Sequence, residues 1–89
     1  QSPGDASIHY NLATALVDLG RGDEAATHLR EAVRLDPEYT KARYLLGTIL
    51  IQAGRPADAL EQFREVARLD PQNQRAGEWV RRLEGQRGK

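Results

Sequence analysis

The feature that most constrains this chain is a statement made twice: "REAVRLDP" at Arg30–Pro37 returns as "REVARLDP" at Arg64–Pro71. Laying residues 6–39 over residues 40–73 without a gap pairs Tyr10 with Tyr44, Leu12 with Leu46, Thr14 with Thr48 and Leu16 with Leu50. It also pairs Gly20-Arg21 with Gly54-Arg55, Ala25 with Ala59, Arg30-Glu31 with Arg64-Glu65, and Arg34-Leu35-Asp36-Pro37 with Arg68-Leu69-Asp70-Pro71. The offset is 34 residues (40 − 6). A fixed period of this size marks units that cannot bury an apolar face alone and therefore stack on one another.

Each unit contains two helical patterns. Ile8, Leu12, Leu16 and Leu19 recur every three or four residues, and so do Ala25, Leu29, Ala32 and Val33. Between them lie Gly20-Arg21-Gly22 and, one period later, Gly54-Arg55-Pro56. Glycine takes the left-handed conformation that ends a helix, and proline suits a first helical turn. So short a turn makes the two helices antiparallel. Asp36-Pro37 and Asp70-Pro71 end the second helix of each unit, because proline restricts the residue before it and lacks the N–H needed to continue. Asp5 and Asn73 offer side-chain caps to the helices that follow, and Thr40 takes that role in the middle. After Pro71 a single further helix carries Ala76, Trp79, Val80 and Leu83 as its apolar stripe. The expected fold is all-α, five helices stacked as antiparallel pairs. Its organisation is a flexible leader (1–5), two units (6–39 and 40–73), a capping helix (74–84) and a polar tail (85–89).

Composition narrows the function classes. At 89 residues there is one domain at most, with little room for an enzyme cleft. Thirteen basic and thirteen acidic residues cancel, which removes the global field that draws proteins to nucleic acid or anionic membrane. The absence of cysteine excludes disulfides, thiol catalysis and thiolate metal sites, and leaves the redox compartment open. No stretch approaches the roughly 20 apolar residues of a membrane helix, and the N-terminus lacks the parts of a signal peptide. The expectation is a soluble chain, cytoplasmic in the first instance and periplasmic as the alternative for a parent protein. Because it opens on Gln1, excision from a longer protein is favoured over processing. The preference for arginine over lysine hints at a GC-rich bacterial source.

The motif placement resembles the tetratricopeptide repeat, whose signature runs W-x2-L-G-x2-Y, A-x3-F and P. The first unit reads His9-x2-Leu12-Ala13-x2-Leu16, Ala25-x3-Leu29 and Pro37; the second reads Arg43-x2-Leu46-Gly47-x2-Leu50, Ala59-x3-Phe63 and Pro71. His9 and Arg43 depart from the pattern at the large aromatic position. The resemblance covers roughly residues 5–84. It implies a right-handed superhelix whose concave face, lined by each repeat's first helix, receives an extended or helical peptide from a protein partner. On that analogy the face comprises Ser7, Tyr10, Thr14, Val17 and Asp18, then Lys41, Tyr44, Thr48, Ile51 and Gln52, with Arg75, Glu78 and Arg82 extending it.

Spacing by itself shows only that Tyr10-Thr14-Val17 and Tyr44-Thr48-Ile51 each share a helix face. Tyr10 and Tyr44 form an aromatic ladder for a ligand, or else pack on the neighbouring helix and wet their hydroxyls. Lys41, Arg75 and Arg82 hold a carboxylate or acidic side chains, or are solvated with Glu78 neutralising an arginine one turn away. Family members that grip the C-terminal carboxylate of cytosolic chaperone tails use paired basic and asparagine residues. Tyr10, Thr14 and Leu45 stand in those places here and only Arg75 fits, which speaks against a chaperone-tail adaptor. His9 and His28 are not at metal-ligand spacing on one helix and gather no cysteine or carboxylate cluster. His9 is expected in the core slot of the missing aromatic, and His28 on the outer face of the second helix. Trp79 is either an exposed anchor or, as preferred, the lid of the core. The basic tail lacks the stacked aromatics of a single-strand nucleic-acid platform. No catalytic residues, metal or cofactor are therefore expected. The leading reading is a protein-interaction module without chemistry; the alternative is a segment that stacks on further repeats or forms a homodimer.

Overall fold

The computed structural model describes residues 3–87. It consists of five helices: α1 (Pro3–Asp18), α2 (Gly22–Leu35), α3 (Thr40–Gln52), α4 (Pro56–Leu69) and α5 (Gln74–Arg87). Each helix packs on the next in sequence, which spreads the molecule into a slab of 40 × 27 × 17 Å. This is the all-α helical-repeat architecture that the 34-residue period demands.

The turns inside each unit are built alike. Gly20 and Gly54 have φ of 76° and 74°, the left-handed region where a Cβ is penalised. The Gly20 N–H donates to Val17 O (2.9 Å) and the Arg21 N–H to Leu16 O (2.8 Å); Gly54 and Arg55 repeat this onto Ile51 (3.0 Å) and Leu50 (2.9 Å). Both pairs of bonds satisfy carbonyls that the helix end would leave orphaned, in the Schellman arrangement. Between units, Asp36 and Asp70 are extended (φ −140° and −136°), as a residue before proline prefers, and α2 and α4 stop there.

Helix boundaries depart from expectation at three points, the start of α1, the start of α3 and the end of α5. Helix α1 begins at Pro3, so Asp5 lies in its first turn rather than capping it, and residues 3–5 of the expected leader are helical; Gln1 and Ser2 lie outside the described residues. Proline tolerates a first turn, where its missing N–H has no intrahelical partner to lose. Thr40 is the first residue of α3, not its cap; Tyr39 holds the cap position without a side-chain bond. Helix α5 continues to Arg87 and takes in residues 85–87 of the expected polar tail, while residues 88–89 lie outside the described residues. At Asn73 the expected cap is present, its side-chain oxygen accepting from the Ala76 N–H at 3.0 Å.

The core is rich in alanine because the helices approach closely. Ala6, Ala13, Ala25, Ala32, Ala42, Ala59 and Ala76 are fully buried, and the large buried side chains are Phe63, Leu29, Leu60 and Val66. Gly47 marks the tightest approach: a Cβ there would stand 2.7 Å from the Phe63 ring. One period earlier the same two places hold Ala13 and Leu29. A larger partner on α4 is thus matched by a smaller residue on α3. The stripe on α1 is only partly core. Leu16 is buried, but Ile8 (64%), Leu12 (43%) and Leu19 (67%) remain exposed.

Candidate functional site

Helices α1, α3 and α5 occupy equivalent places in successive units and together line a groove of about 530 Å³. Its walls are Tyr10, Thr40, Lys41, Tyr44, Leu45, Thr48, Asp70, Asn73 and Arg75. A smaller hollow of about 250 Å³ continues from it, lined by Tyr44, Arg75, Glu78, Trp79 and Arg82. Tyr44 and Arg75 belong to both and join them into one surface.

The aromatic side chains are held in place by the core beneath. Tyr44 meets Phe63 edge-on with ring centroids 5.3 Å apart, and Phe63 stacks on Trp79 at 5.2 Å and 4°. The Arg82 guanidinium lies over the Trp79 ring at 5.0 Å, within cation–π range. Trp79 is therefore the lid of the core, with Phe63 directly under it. Tyr10 leans on Tyr39, the ring centroids 5.3 Å apart. Both tyrosines are half-buried, so each is packed at its base and open at its rim.

The residues expected on the concave face divide. Tyr10, Lys41, Tyr44, Thr48 and Arg75 line the groove, and Arg82 lines its extension. Thr14, Val17 and Ile51 do not line it. Val17 and Ile51 are packed against the core cluster, and the Thr14 hydroxyl donates to Asn11 O at 2.7 Å, one turn back. The Thr48 hydroxyl likewise donates to Leu45 O at 2.8 Å, although Thr48 still faces the groove. Sequence reasoning missed Thr40, Asp70 and Asn73 at the groove. Asp70 and Asn73 belong to the loop between α4 and α5 and Thr40 is the first residue of α3, places where helix periodicity gives no direction.

Charge is distributed unevenly. The outer helices carry i,i+3 ion pairs, Arg34 with Glu31, Arg68 with Glu65 (2.7 Å) and Arg55 with Asp58 (2.6 Å), and Arg21 with Glu24 closes the first turn (2.6 Å). Hydrogen bonds from their arginines hold Glu24, Glu31 and Glu65 below the ordinary carboxylate range. Arg64 bridges α4 to Glu84 of α5 at 2.6 Å. Among the described residues Lys41, Arg75 and Arg82 form no such ion pair, and Glu78 neutralises neither arginine.

His28 is not on the outer face. It stacks on His9 with ring centroids 5.2 Å apart, both rings half-buried between α1 and α2. One period later Arg43 donates to Gln62 Oε1 at 3.1 Å. Each unit thus replaces the family's large aromatic with a polar pair that ties its two helices together.

The pattern of the tetratricopeptide repeat family matches residues 10–74, well over half of the chain. This chain belongs to the tetratricopeptide repeat family. The family is in general a non-catalytic protein-interaction module. Human protein O-mannosyl-transferase TMTC1 is 45% identical over 40 residues, covering 45% of this chain and 4% of that protein. Among solved structures, the tetratricopeptide repeat protein YrrB, described as having an unusual peptide-binding site, is 30% identical with a TM-score of 0.83, covering 94% of this chain and 43% of that one. The second tetratricopeptide repeat domain of human RPAP3, solved with the HSP70 peptide SGPTIEEVD, is 28% identical with a TM-score of 0.80, covering 90% and 67%. This tetratricopeptide repeat chain therefore spans a small fraction of the curated relative and less than half of YrrB. No described helix is long and apolar enough to cross a membrane.

Proposed function

We propose that this chain is a protein-interaction module without chemistry of its own, taking a peptide from a protein partner along the groove between α1, α3 and α5. The observation that carries this reading is the pairing of half-buried Tyr10 and Tyr44 with Lys41 and Arg75, two cations that form no ion pair among the described residues. Flat amphipathic rings suit peptide backbone and apolar side chains, and unpaired cations suit carboxylates. YrrB and RPAP3, which share the fold, are both described with bound or bindable peptides, and this supports the reading. Tyr44→Ala is a poor probe of it, since Tyr44 also packs on Phe63. The direct test selects displayed random peptides on the parent chain and measures their binding to Lys41→Glu/Arg75→Glu, whose substitutions are on exposed side chains. Selected peptides should be rich in acidic residues and lose binding to the variant. Equal binding to both proteins would remove the groove from consideration.

A second reading, stacking on a further helix or on another copy, is favoured by the uncovered face of α1. Leu12 is 43% exposed where its counterpart Leu46, with α2 packed on α3, is 2% exposed. Light scattering over a concentration series tests self-association; a mass fixed at 9.9 kDa rules it out.

A further inference from the structure

The exposed large hydrophobic side chains among the described residues are Ile8, Leu12 and Leu19, and all three fall on one side of α1 and its final turn. The Leu19 N–H donates to Ala15 O at 3.2 Å, so the helical spacing runs on past Asp18. Exposed Ala15 completes a stripe at positions 8, 12, 15 and 19. The repeat accounts for its apolar character. Its counterparts are Ala42, Leu46 and Ile49 on α3, and Ala76, Val80 and Leu83 on α5. Those residues are buried or half-buried, with α2 packed on α3 and α4 on α5. On α1 the same face is open to solvent.

We propose that this face pairs with the same face of a second copy of the chain, α1 running antiparallel to α1 across a two-fold axis, a pairing that rests on the stacking reading of the uncovered α1 face. A second copy offers no better match. Its α5 packs on α4 and leaves Arg81, Arg82 and Glu84 exposed, so head-to-tail stacking would set the apolar stripe against charge. An isologous contact closes instead, with one patch serving both sides. The stripe also fits itself. Spacings of four, three and four residues keep it on the seam of two helices crossing at about 20°. With the axis midway along the stripe, Ile8 faces Leu19 of the other copy and Leu12 faces Ala15, large against small at the centre. Between Asp5 and Asp18, α1 carries no Asp, Glu, Lys or Arg, so no charge is buried in the seam. The antiparallel direction separates the acids as well: Asp18 falls opposite His9 and Asp5 opposite Gly22, whereas parallel helices would set each acid against its own copy. One helix from each copy buries less than the roughly 1,200 Å² of a standard interface, so the dimer is weak and reversible.

Sedimentation equilibrium of the whole chain, from micromolar to millimolar concentration, tests the pairing on the parent, on Ile8→Lys, Leu19→Glu and Leu19→Lys, and on mixtures of them. All three substitutions are at exposed positions, and circular dichroism checks that the helices persist. The parent should form a dimer and nothing larger. Each variant alone should dimerise about a hundredfold more weakly, because the two-fold axis repeats the lost apolar contact and each repeat is worth about tenfold. Mixing Ile8→Lys with Leu19→Glu should restore a dimer, since one contact then joins opposite charges and the other is the original Ile8 against Leu19. Mixing Ile8→Lys with Leu19→Lys should not. A parent that stays monomeric at millimolar concentration, or association that every variant retains, overturns the proposal together with self-association through α1. Variants that are monomers alone and stay so in the opposite-charge mixture leave α1 as the contact face and overturn the antiparallel pairing.

Discussion

Gly47→Ala separates packing from helix propensity, because the two predict opposite signs. In an open helix, alanine is favoured over glycine by about 0.8–1.0 kcal/mol. At position 47 the new Cβ would lie 2.7 Å from the tip of the Phe63 ring and within 3.0 Å of two more of its atoms. Carbon atoms settle about 3.5–4.0 Å apart, so the ring must withdraw by about 0.8 Å (3.5 − 2.7). Phe63 has no room to do so: it is fully buried, with Trp79 stacked on one face and Tyr44 against its edge. Overpacking of this kind costs about 1–3 kcal/mol. Subtracting the propensity gain leaves a net destabilisation of roughly 1 kcal/mol, or about 4–8 °C in melting temperature for a domain of this size. The first unit names the compensating change, since Ala13 there faces Leu29. A cycle of Gly47→Ala, Phe63→Leu and the double variant, followed by thermal and urea unfolding, should show a favourable coupling of about 1 kcal/mol. A Gly47→Ala protein that melts at or above the parent, or a cycle that is simply additive, would refute the claim that Gly47 is dictated by Phe63.

Asn73→Ala removes the side chain that satisfies the Ala76 N–H at 3.0 Å, and should cost about 1 kcal/mol while fraying the start of α5; unchanged amide exchange protection in that turn would contradict the cap. Stability should also fall on acidification, because Glu24, Glu31 and Glu65 have folded pKa values below the ordinary 4.5 through their arginine hydrogen bonds. A depressed folded pKa gives stability that is present above the unfolded value and lost as pH falls through the folded one, so the loss begins below about pH 5. These groups are exposed and the effect is small and salt-sensitive; substituting all three by glutamine should flatten the acid limb of the stability curve, and an unaltered limb would show that the pairs carry none of it.

Much of this fold was legible because the repeat checks itself. A glycine at position 20 alone signals a turn weakly; the same glycine at position 54, followed each time by arginine, fixes two helix ends, and both have the left-handed φ expected. Proline after Asp36 and Asp70 works the same way. What failed were statements that depend on a second helix. Periodicity shows that Ile8, Leu12 and Leu19 share a stripe, but their burial depends on a helix packed over them, and α1 has none there. Val17 and Ile51 lie on the face expected of a groove, yet they pack partly buried against the core and are not among the groove's walls. The pairing of His9 with His28 is likewise invisible along either helix. It could have been found from the repeat: His9 and His28 are separated by the same 19 positions as Arg43 and Gln62, and polar residues at both places in both units mark a repeated polar contact between helices rather than an outer face.

The central claim is that a partner peptide lies between α1, α3 and α5. The measurement that addresses it most directly is amide chemical-shift mapping of the isotope-labelled chain while a selected peptide is titrated in. The account predicts that the shifts converge on Tyr10, Lys41, Tyr44, Thr48 and Arg75, with Trp79 and Arg82 following when the peptide extends past Arg75. Shifts confined to the outer faces of α2 and α4, or to the uncovered stripe of α1 at Ile8, Leu12 and Leu19, would contradict it.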